Sequence, residues 1–213
     1  MNWPFCSIWQ AGQLAGYQAC QEELYMCADL TSVKVATLVS GEPAGEDILK
    51  LADMLKAAGA TVIPVTAGHD GSLKPSNGYG LAPGVSLKGA DEAGFDALLL
   101  AGDRASVDQL AANPAALAFA RAFVANEKPV GAVSYAIKIL LVANALTKRR
   151  LTADSDLEPL VRKSGAEWAD EPVVVDRDLV TVAEAGALDS FCEAFALRCF
   201  GQKSSSGSSL HTD

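Results

Sequence analysis

A chain of 213 residues, half of them apolar and 20% charged, can bury one sizeable core but is too short for two domains without a visible linker. Its net charge of −9 and isoelectric point near 4.7 provide no basic field to displace counterions from phosphate, which argues against a nucleic-acid partner. No apolar run reaches the roughly 18 residues of a membrane span, no secretory signal opens the chain, and five cysteines without C-x-x-C spacing suggest neither a disulfide framework nor a zinc site. The expected setting is a reducing cytoplasm.

Residues 1–25 read as an N-terminal extension whose Trp3, Phe5, Ile8, Trp9 and Leu14 could pack on the body or a partner. The body, 26–200, alternates short β-branched runs with helical patterns, the signature of an α/β fold with a mostly parallel central sheet. Strands are expected over 33–39, 61–65, 96–100 and 129–133, each nearly all apolar, as strands buried on both faces are. A helix over 47–58 follows from Ile48, Leu51, Ala52 and Leu55 and stops at Gly59. Residues 68–89 hold six glycines and two prolines and read as a long excursion. Asn113-Pro114 opens a helix over 114–126, and 135–146 reads as a strongly apolar central helix. The cluster Lys148-Arg149-Arg150 reads as a solvated connection. Then come a helix over 156–164, a strand pair at 173–175 and 179–181, and a closing helix over 188–200. Cys192 and Cys199, seven apart on that helix, read as core. The serine-rich stretch 201–213 reads as a disordered tail.

Three blocks carry a resemblance. Lys128-Pro129-Val130-Gly131-Ala132-Val133-Ser134-Tyr135-Ala136 resembles the strand-to-helix elbow of the ThiJ/PfpI superfamily, K-P-V-x-A-I-C-H-G. Phe95-Asp96-Ala97-Leu98-Leu99-Leu100-Ala101-Gly102-Asp103 is similar to its Y-D-A-L-x-L-P-G-G. The block running from Gly165-Ala166-Glu167-Trp168 through Asp170-Glu171-Pro172 to Asp176 is similar to its G-A-x-W-x-D-E-x-V-V-V-D. The resemblance implies a flavodoxin-like three-layer sandwich of the class I glutamine amidotransferase-like kind, commonly a homodimer. Family members include peptidases, glyoxalase or deglycase-type enzymes, stress proteins and isocyanide hydratases, and the fold alone does not choose among them. The turn near Gly41 to Leu49 also resembles the ThiJ/PfpI-like domain at the C-terminus of large-subunit catalases.

By that resemblance Ser134 stands where the family carries its nucleophilic cysteine, Tyr135 where it carries a histidine, and Ala44 where an acid would hydrogen-bond the thiol. A serine needs a base within hydrogen-bond reach. The candidates are Tyr135, Glu42 and Glu46, with Lys138 one turn along the helix as a Ser-Lys alternative. Glu42, Glu46 and Asp47 are also explained as acids at a helix N-terminus. His69 and His211 are placed by no motif, and two isolated histidines form no metal ligand set. Gly102 and Asp103 border the expected oxyanion position, where the acid opposes developing negative charge. The expected function is that of a degenerate ThiJ/PfpI-like protein in a binding or stress-response role, without metal or cofactor, with a small-molecule ligand in the old pocket. The alternative is a hydrolase or lyase using Ser134.

Overall fold

The computed structural model describes residues 29–40, 46–67 and 84–206. In chain order the elements are β1 (Lys34–Val39), α1 (Glu46–Ala57), β2 (Thr61–Thr66), β3 (Val85–Ser86), β4 (Ala97–Leu100), α2 (Arg104–Ala111), α3 (Pro114–Ala125) and β5 (Val130–Val133). There follow α4 (Lys138–Val142), β6 (Arg150–Leu151), α5 (Glu158–Lys163), β7 (Glu167–Trp168), β8 (Val173–Asp176), β9 (Leu179–Val182) and α6 (Leu188–Ser206). Seven strands form one sheet in the order β3-β2-β1-β4-β5-β9-β8, parallel except for the β8–β9 hairpin. β6 and β7 pair separately.

Strand alternation divides the core into two layers. Ala36, Leu38, Leu98, Leu100, Val130 and Ala132 face one side, where α2, α3, α4 and α5 cover them. Val35, Val39, Ala97, Leu99, Val133 and Val182 face the other, beneath α1 and α6. Helices on both faces explain the near-continuous apolar strands and make the molecule a flavodoxin-like three-layer sandwich. Chain order reverses direction between β1 and β4, and ligands of open parallel sheets bind outside the carboxyl ends of strands near such a switch.

The expected strands and the helices α1 and α3 are present, the latter capped by the Asn113 side chain, which accepts from the amides of Ala115 and Ala116 at 3.0 and 3.4 Å. Asn113→Ala should lower stability by about 1 kcal/mol. The check is thermal unfolding, with a loss of roughly 2–4 °C.

Four expectations need correction. The central helix is shorter than 135–146: a 3-10 turn, Ser134–Ile137, leads into α4, which ends at Val142. Asn144 adopts φ 52, and the amides of Asn144 and Ala145 turn back to the carbonyls of Leu141 and Leu140, a left-handed helix stop. Residues 104–111, unassigned from sequence, form α2. The excursion 68–89 ends in β3, which pairs with β2, and in a 3-10 turn, Leu87–Gly89; residues 68–83 lie outside the described residues. The closing helix runs on to Ser206, because Phe191, Phe195 and Cys199 anchor its inner face and Gln202 donates its side-chain amide to the Glu127 carbonyl. Residues 1–28 and 207–213, which hold most of the expected extension and tail, also lie outside the description.

The basic cluster is not simply solvated either. Arg149 is only 7% exposed. Its Nε donates to Asp176 Oδ2 at 2.7 Å, and Nη2 donates to the Asp176 carbonyl and to Asp178 Oδ1. It ties β6 to the turn between β8 and β9. Burial opposes ionisation of Asp176, yet the Arg149 hydrogen bond, the Arg150 amide and nearby guanidinium charge hold its pKa below the usual carboxylate value.

Candidate functional site

The chain reaches Ser134 at the carboxyl end of β5 and must turn sharply to start the 3-10 turn that follows. Ser134 takes φ 50, a left-handed conformation uncommon for a residue with a Cβ and worth about 1–3 kcal/mol of strain. The elbow expected from sequence is therefore present as backbone geometry. Ser134 is partly buried and forms part of the wall of a cleft of about 1030 Å³.

The rest of that wall comes from segments that follow β6, β7 and β9. Asp154 and Asp156, Trp168 with Glu171, and Glu184 line it, with Arg104 from the start of α2. None of these was singled out as a site residue from sequence. The available signal was the Trp168 to Pro172 text of the third block, whose role as a cleft wall appears only when β7 is placed.

Arg104 holds one side of the cleft together. Its Nη2 donates to Asp154 Oδ2 and its Nη1 approaches Asp156 Oδ2, both at 2.8 Å, while the guanidinium lies 4.5 Å from the centre of the Tyr135 ring. The Asp156 hydrogen bond is the main reason its pKa is raised.

Tyr135 and Lys138 form a second knot. Lys138 Nζ donates to Asp108 Oδ1 at 2.7 Å and to Tyr135 Oη at 2.9 Å. These two bonds, Asp108 first, raise the Lys138 pKa, and the same Lys138 contact lowers that of Asp108. Lys138 is thus a cation locked to α2. Of the Ser-Lys arrangement considered from sequence, the structure shows the amine donating to Asp108 and Tyr135, with no described hydrogen bond to Ser134.

Asp103 also changes meaning. Its Oδ1 accepts from the Ser106 amide at 2.7 Å, making it the N-cap of α2. The acid after Gly102 is accounted for by helix capping. Gly102 itself has φ 144, where only glycine is at ease, and a Cβ there would lie 4.0 Å from Ile48 of α1. Glu46 is exposed in the first turn of α1, where the helix dipole favours an acid, and no described contact links it to Ser134. Glu42, Ala44, His69 and His211 lie outside the described residues. Among the described residues no group of three or more His, Cys, Asp or Glu side chains is placed to hold a metal ion, and no helix is long and apolar enough to cross a membrane. Cys192 and Cys199 are fully buried in the α6 layer, where burial pushes the Cys199 thiol pKa upward, so both are core as expected.

The chain is 34% identical over 172 residues to protein/nucleic acid deglycase 2 of Escherichia coli (strain K12), an alignment covering 80% of this chain and 99% of that protein. It is 36% identical over 98 residues to general stress protein 18 of Bacillus subtilis (strain 168), covering 46% of this chain and 56% of that protein. Its fold matches the crystal structure of a ThiJ/PfpI domain protein from Brachyspira murdochii with a TM-score of 0.68 at 21% identity, covering 82% of this chain and 98% of that one. The sequence profile of the DJ-1/PfpI family matches residues 33–197, and the chain belongs to that family.

Proposed function

We propose that the cleft beside Ser134 binds a small metabolite without turning it over through a nucleophile, a binding or stress-response role on a DJ-1/PfpI scaffold. The observation that carries this reading is the state of the groups around the elbow. Lys138 and Tyr135 are bound to one another, with Asp108 holding the lysine as a cation, and no described side chain accepts a proton from the Ser134 hydroxyl. A thiol can ionise near neutral pH in such a turn, whereas an alcohol depends on a base. The relative named as a general stress protein is consistent with a protective role.

The alternative, a hydrolase or lyase using Ser134, is favoured by the retained elbow at φ 50 and by the relative named as a deglycase. Comparison of the wild-type protein with Ser134→Ala in deglycase, glyoxalase, peptidase and esterase assays separates the two. The expected result is indistinguishable rates. A drop of about tenfold or more in any assay sinks the binding reading and places Ser134 in a working catalytic site. The homodimer implied by the family resemblance belongs to the same proposal, and light scattering of the purified chain tests it.

A further inference from the structure

The cleft beside Ser134 is lined almost entirely by charges of one sign. Five carboxylates reach it, those of Asp154, Asp156, Asp170, Glu171 and Glu184, against a single cation, Arg104. Arg104 is bound to Asp154 and Asp156 together, and Glu171 pairs with Arg150, which does not line the cleft. Asp170 and Glu184 have no ion pair or side-chain hydrogen bond among the described residues. With the surplus aspartate, three negative charges face the cavity without a cation.

Acidity alone would mark only a solvated surface. The second feature is a pair of open hydroxyls on the same wall. Thr152 is 2% exposed and lines the cleft. Its amide donates to Thr181 Oγ1 at 3.0 Å, but its own hydroxyl has no hydrogen-bond partner among the described residues. That oxygen is not sealed off, since the described side-chain atoms that are both sealed and unpartnered are Ser40 Oγ, Thr66 Oγ1 and Asp178 Oδ2. The hydroxyl of half-buried Ser134 is in the same condition. Buried hydroxyls normally find a partner, and for Thr152 the cleft is the side from which one can come. Trp168 and Pro172 give the wall apolar surface between the polar groups.

On the reading that this cleft holds a small metabolite, we propose that its ligand is an aliphatic polyamine. One ammonium group donates to the Thr152 and Ser134 hydroxyls, the methylene chain lies on Trp168 and Pro172, and a second ammonium group meets Asp170 and Glu184. An anion of the same size would bring like charge to a wall already in negative excess, which is the basis for its rejection. The volume of about 1030 Å³, at the upper end of small-molecule sites, suits a chain rather than a single amine.

Calorimetric titration of the full chain with α,ω-octanediamine, α,ω-octanediol and octanedioate tests the proposal, because the three share a chain and differ in charge. Salt of about 0.15 M screens attraction to the exposed acidic surface. The diamine is expected to bind with saturation, and the diol and the dianion at least about tenfold more weakly. Asp170→Asn/Glu184→Gln should weaken the diamine by about tenfold or more. Asp53→Asn/Glu127→Gln removes the same charge from α1 and from the turn before β5, and should leave its affinity unchanged. All four side chains are exposed, so both variants keep the fold. A diol or dianion that binds as tightly as the diamine would overturn the polyamine assignment while leaving the cleft a binding site. Absence of saturable diamine binding up to about 10 mM, or equal losses in the two variants, would overturn it as well. The turnover comparison of wild type with Ser134→Ala is independent of these titrations, so a failure of the non-catalytic reading is seen separately.

Discussion

Replacing Arg149 with alanine is expected to cost about 3 kcal/mol of folding stability, read as a lower denaturation midpoint in urea. The magnitude comes from what the mutation leaves behind. Asp176 and Asp178 are 20% and 9% exposed, and without the guanidinium each would face the interior as an uncompensated charge. Arg149→Lys should recover less than half of the loss, because one ammonium cannot reproduce the fork that reaches two carboxylates and a backbone carbonyl. The effect depends on pH with a definite sign. The folded-state pKa of Asp176 lies below its unfolded value, so its contribution is complete above the unfolded value of about 3.9 and disappears as pH falls through the folded one. Unfolding curves of wild type and Arg149→Ala should therefore converge in acid. A gap that stays constant from neutral pH to below about pH 3 would show that packing, not charge, explains the loss.

The second large effect is expected at Gly131. A Cβ on this residue would lie 2.8 Å from Phe191 Cζ and 3.1 Å from Phe195 Cδ2, closer than van der Waals contact allows. Those two rings are stacked, with centroids 6.0 Å apart, and fully buried, so neither can swing into solvent. Gly131→Val should cost about 3 kcal/mol, at the upper end for overpacking, and Gly131→Ala about half as much. Combining Gly131→Ala with Phe191→Leu tests the cause, since the shorter side chain makes room for the methyl group. The double variant should be more stable than the sum of the single losses predicts, and strict additivity would place the strain elsewhere.

These positions show what the sequence could and could not convey. β1, β2, β4 and β5 were legible because strands covered on both faces leave runs of apolar residues. The elbow at Ser134 was legible for a related reason: an apolar strand entering a helix at the sheet edge is a local pattern. Arg149 was not, because its partners lie 27 and 29 residues further along the chain and nothing in the local text distinguishes a buried arginine from a solvated one. The role of Asp103 was available as an N-cap signal three residues before Ser106, but its neighbourhood to Gly102 suggested an electrostatic role instead. Lys138 illustrates the ambiguity of helical spacing. It sits one turn from Ser134 as the spacing implies, yet its amine reaches across to α2. The cleft wall was the least legible part, since Arg104, Asp154, Trp168 and Glu184 converge only through the separate β6–β7 pairing and the placement of β9.

The left-handed backbone at Ser134 has a consequence for substitution as well as for chemistry. Its φ of 50 falls where β5 gives way to the 3-10 turn, and no described hydrogen bond of the hydroxyl accompanies it. The conformation is expected to persist with another small side chain at the position, and its strain does not depend on the use of a nucleophile. A cysteine put in place of Ser134 would meet a junction already bent to present its thiol.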